Sequence, residues 1–76
     1  MMERIDVITY SGYRGEERPV AFILRGERIE VNEILDKRIE EDVADRTRKR
    51  LFKVKGSDGY THLLYYDEQS SKWFHG

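Results

Sequence analysis

No cysteine occurs among the 76 residues of this chain, which excludes disulfide staples, thiolate zinc sites and cysteine nucleophiles together. Side-chain burial and backbone pairing must therefore hold the fold. A domain this short buries only about 60% of the surface its unfolded chain exposes, so the core is thin and a dimer is a natural supplement. Aromatic residues, at 12% of the chain, supply large units of burial. Disordered chains are poor in such residues, so a folded domain is expected. Small secreted domains commonly need disulfides, so the expected location is cytoplasmic. Met1–Asp6 is charged and lacks the apolar stretch of a signal peptide. No apolar run approaches the roughly 20 residues that span a bilayer, so no membrane partner is expected.

Short runs of alternating apolar and polar residues, separated by turn signals, predict β-strands. The runs are Ile5–Tyr10, Arg18–Leu24, Arg28 onward, Arg48–Lys55, Tyr60–Tyr66 and Lys72–His75. Ser11–Glu17, with Gly12 and Gly15, reads as a polar loop, and Arg25-Gly26-Glu27 as a tight turn. Gly56-Ser57-Asp58-Gly59 reads as a hairpin turn, because Asp-Gly readily supplies positive φ. Pro19 lacks an amide donor and belongs at a strand start. Both faces of Arg18–Leu24 are apolar, which suggests a central strand or a closed small barrel. The expected fold is all-β: a single β-rich domain over residues 1–76, a small antiparallel meander or barrel of about six short strands. Val31, Leu35, Ile39 and Val43 recur every four residues, a spacing that suits a strand face and a helix side alike. The alternative is therefore α+β, with one short helix within 32–46. The preferred reading continues the strand through Asp36 and on to Asp42.

Chemistry-bearing patterns are sparse. His62 and His75 are the only histidines, and no ligand spacing accompanies them. His62 falls mid-strand, and His75 falls at an end expected to fray. Glu40-Glu41-Asp42 is the densest acidic run, but it lacks apolar walls that would shift its pKa values. Ser11, Ser57, Ser70 and Ser71 all fall in turns, where serine serves the backbone. No Gly-x-Ser-x-Gly elbow or phosphate-cradling loop occurs. No catalytic residue, cofactor, metal or small-molecule substrate is expected.

Charge is the most informative pattern. Glu27–Asp45 contains eight acidic and three basic residues, whereas Arg46–Lys55 contains six basic residues and no acid. A hairpin across Val43–Thr47 sets Asp42 against Arg48, Glu41 against Lys49, Glu40 against Arg50 and Ile39 against Leu51, which is favourable matching. The same register opposes Lys37 to Lys53, so a bulge or strand end is expected there. Arg46, Lys53 and Lys55 stay unpaired and are the candidate nucleic-acid contacts, with aromatic residues available to stack on bases. Phe22, Phe52, Tyr66 and Trp73 are expected in the core. Tyr60, Leu63 and Tyr65 are the candidate protein contacts, because whichever face of that strand is outside shows a tyrosine.

Two stretches carry a resemblance. Arg18–Asp36 contains Pro19, Phe22, Arg25-Gly26, Val31 and Leu35-Asp36. Leu51-Phe52-Lys53-Val54 is followed by Asp58-Gly59, Leu63-Leu64-Tyr65, Asp67 and Trp73-Phe74. Together they resemble a family of small uncharacterised bacterial β-proteins. The second stretch is also similar to the C-terminal tail hairpin of inactive Y-family polymerase homologues in mutagenic DNA repair. The chain departs from the family at Leu24, Ile29, Arg38 and Ser71. The resemblance implies a β-fold and a repair-associated accessory role, and no catalytic residue. The expected function is a non-catalytic interaction module that binds protein or itself, the alternative being a nucleic-acid-binding accessory domain.

Overall fold

The computed structural model describes residues 2–11, 17–44 and 46–76. Most of the expected glycine loop, at 12–16, lies outside the described residues, as does position 45. Six strands form in chain order: β1 (Glu3–Ser11), β2 (Glu17–Leu24), β3 (Glu27–Asp42), β4 (Thr47–Gly56), β5 (Thr61–Asp67) and β6 (Lys72–His75). Each pairs antiparallel with the next, and β6 pairs back with β1 to close a barrel.

The described residues contain no helix, so the α+β alternative for 32–46 is overturned. Ten residues of β3, from Val31 to Asp42, have Cα partners on β4. Those backbone bonds decide what a four-residue spacing left open. The strands are also not uniformly short, since β3 has 16 residues.

Alternation selects the core. Ile5, Phe22, Ile29, Phe52, Val54 and Leu64 are buried inside, with Val7, Leu24, Val31, Ile34 and Trp73 packed against them. Tyr66 stays half-buried, its ring 5.0 Å from that of Trp73. Arg25 and Gly26, at φ 52° and 81°, form the two-residue turn between β2 and β3. Glu27 belongs to β3 rather than to that turn. Gly59 takes φ 86°, as the Asp-Gly signal predicts.

The barrel is uneven around its circumference. β2 pairs with β3 only through Ala21–Leu24 and Glu27–Glu30. Beyond Val31, β3 leaves β2 and continues with β4 alone among the described strands. A groove of about 320 Å³ opens there, between Arg18–Val20 and Val31–Ile34. Two irregularities mark the departure, between Val31 and Glu33 and between Ile34 and Asp36. Bulges of this kind bend a strand and sharpen its twist. The far halves of β3 and β4 thus form a two-stranded arm.

Candidate functional site

The arm is built by charge matching one residue out of step with the sequence-based register. Asp42 pairs with Thr47, Glu41 with Arg48, Glu40 with Lys49, Ile39 with Arg50 and Arg38 with Leu51. The shift removes the expected Lys37–Lys53 conflict. Asp36 now faces Lys53, Glu33 faces Lys55 and Lys37 faces Phe52. The Lys37 ammonium lies 5.7 Å from the Phe52 ring centroid, capping the core end with a cation. The expected irregularity falls at Leu35 instead, next to these pairs.

Glu68 fastens the base of the arm. Its carboxylate lies 3.0 Å from Arg50 Nη2 and 3.2 Å from Arg48 Nε, and Glu41 lies 3.6 Å from Arg48. Arg38 Nε donates to Asp36 Oδ2 at 2.7 Å. That bond and the Lys37 amide hold the Asp36 carboxyl below its ordinary pKa.

The opposite edge of β3, from Glu33 to Asp42, has no paired strand among the described residues. Along it Leu35 is 45% exposed, Ile39 49% and Val43 89%. Alternation places Lys37, Ile39 and Glu41 on one face and Asp36, Arg38, Glu40 and Asp42 on the other. Sequence reasoning named Leu35, Ile39 and Val43 as an apolar stripe and assigned them no role.

The expected nucleic-acid residues are dispersed. Arg46 occupies the arm's turn at φ 54°, and six residues of strand, roughly 20 Å, separate Thr47 from Lys53. Lys53 and Lys55 are exposed, each opposite an acid on β3. The expected protein contacts divide. Leu63 and Tyr65 are half-buried, and Tyr65 stands in a row between Leu51 and Phe74. Tyr60 is 71% exposed and lies in the turn before β5 rather than in the strand.

A partly buried polar chain, Asp58–His62–His75, was not foreseen. His62 is 8% exposed, with Nε2 2.9 Å from Asp58 Oδ2 and Nδ1 2.9 Å from His75 Nε2. With His62 neutral, its Nε2–H donates to the carboxylate and its Nδ1 accepts from His75 Nε2–H. Both His62 ring nitrogens are thereby engaged. Burial, then the neighbouring His62, lowers the His75 pKa. The Tyr60 amide and then His62 hold Asp58 below the usual carboxylate range. His75 is paired on both sides, with Glu3 on β1 and Leu64 on β5. The three groups come from a turn and two strands, so no local spacing announced them. The two imidazoles pack on Phe22, whose ring centroid lies 4.9 Å from that of His62 and 6.2 Å from that of His75.

Comparison of the chain with family models, with curated proteins and with solved structures gives no match.

Proposed function

We propose that this chain is a non-catalytic interaction module that takes an extended protein segment as an added strand along the free edge of β3. The observation that carries this reading is that edge, Glu33–Asp42, flanked by half-exposed Leu35 and Ile39. An unpaired edge offers a row of amide donors and carbonyl acceptors to another chain. Backbone bonds then provide affinity, and alternate side chains provide specificity. The acids opposite Lys49, Lys53, Lys55 and Arg48 favour a protein over a polyanion, because they cancel much of the field a phosphate backbone would meet. The 76-residue chain used as bait in lysate of cells that also express an untagged copy is expected to retain a protein that Ile39→Lys loses by at least tenfold. Equal retention by both would overturn the reading.

A second reading rests on Lys53, which stands on β4 opposite Leu63, two residues along from the Tyr65 row and on the same face. A cation beside an aromatic row suits single-stranded nucleic acid, and the repair-associated resemblance agrees with it. Binding of labelled single strands that falls steeply with salt, and that Lys53→Gln weakens, is its expected signature.

A further inference from the structure

We infer that the segment added to β3 is the same segment of a second copy of this chain, paired antiparallel about a two-fold axis through Ile39. This rests on reading the β3 edge as an interaction surface and names its occupant.

A two-fold axis that pairs one strand edge with itself antiparallel stands perpendicular to the sheet. Directly opposed residues share a face, so one residue must lie opposite its own copy. Only a few such registers exist on this arm, and charge separates them. Centring on Arg38 opposes two arginines and sets Asp36 against Glu40. Centring on Glu40 opposes two glutamates and sets Ile39 against Glu41. Centring on Lys37 opposes two lysines and sets Glu33 against Glu41.

Centring on Ile39 gives a different result. Ile39 meets the partner's Ile39, Lys37 meets the partner's Glu41, and Arg38 meets the partner's Glu40. Each charge pair occurs twice by symmetry. Just outside the regular strand, Leu35 falls beside the partner's Val43. The half-exposed apolar residues thus cover one another, and opposite charges fill the positions between them. One like-charge pairing remains, Asp36 with the partner's Asp42. Asp36 already holds Arg38 at 2.7 Å, and Asp42 Oδ1 accepts the Ala44 amide at 3.0 Å. The arm projects this edge away from β2, so barrel closure leaves it accessible.

Charge reversal tests the register itself. Wild-type chain in sedimentation should rise with concentration from the 9.1 kDa of one copy toward double that mass. Lys37→Glu alone and Glu41→Lys alone should each remain at the single-chain mass, since each opposes like charges across the axis. Their equimolar mixture should regain the double mass, because each variant then supplies the other's complement. Both positions are exposed, and circular dichroism matching that of dilute, monomeric wild type confirms folding of each variant. A mixture that associates no more than either variant alone overturns the proposal. So does a wild-type chain that is monomeric throughout. If that monomer still retains a lysate protein through Ile39, the edge reading stands and the second copy is excluded. If it retains nothing, both fall.

Discussion

The near and far ends of β3 have opposite situations. At the near end, β2 pairs with Glu27–Glu30, and Ser57 clips the other edge. The Ser57 amide donates to the Glu30 carbonyl at 2.8 Å, and its Oγ accepts the Glu30 amide at 3.0 Å. Ile29 sits between them, buried. At the far end, β4 holds one edge, and Ile39 is half-exposed although it continues the same strand. Stability thus belongs to the closed end, whereas the open end keeps backbone groups available for contact. A thin core sharpens this division, because it has few apolar residues to distribute.

The largest expected effect is at the closed end. At concentrations where the chain is monomeric, Phe22→Ala should cost about 3–5 kcal/mol, whereas Ile39→Ala should stay within about 0.5 kcal/mol. Urea unfolding of the two variants measures both, and comparable losses would break the contrast. Gly56→Ala comes next. A methyl there would lie 2.7 Å from Ile29 Cγ2, 2.7 Å from Asp58 Oδ1 and 3.1 Å from His62 Cδ2. Overpacking of this kind costs about 1–3 kcal/mol, read as a lower urea midpoint. Glu68→Gln should cost about 0.5–1 kcal/mol, because its ion pairs with Arg48 and Arg50 are partly solvated. Its thermal midpoint should fall only slightly, with a greater loss of amide protection in the arm than in the barrel.

The smallest effect is a pH slope. The His75 pKa is lowered in the folded chain from its ordinary value of 6.5. Between those two values the unfolded chain binds the proton more readily, so stability falls as pH drops through that window. Asp58 adds to the fall further down, because the stability from its lowered pKa is lost only as pH passes below the ordinary carboxylate value. Melting curves across mildly acidic pH should show the first slope in the wild type and a flatter one in His75→Gln. An equal slope in both would remove His75 as its source.

Most of the strand order was legible, because alternation and turn residues are local signals. Arg25-Gly26 and Asp58-Gly59 marked their turns without help from the rest of the chain. The β3–β4 register was harder, since charge matching alone admits neighbouring solutions of similar quality. The Lys37–Lys53 conflict flagged the error and was itself the useful signal. The structure answers it with a tighter turn and with bulges near Asn32 and Leu35. His62 and His75 were unreadable as a pair because closure of the barrel, a long-range event, brings them together. Leu35, Ile39 and Val43 were visible as a stripe. Their exposure followed only from β3 outrunning β2, which depends on where two strands part.

The irregularity at Leu35 also works as an aiming device. Substitutions further along β3 change what a position carries, but they leave its side unchanged. Removing the single extra residue would leave Ile34 opposite Val54 and Asp36 opposite Lys53 as consecutive pairs, so Lys37, Ile39 and Glu41 would keep their side and the local bend would be lost. The course of the arm is therefore set partly by residue count, and a one-codon deletion there would straighten it while leaving each remaining cross-strand neighbour in place.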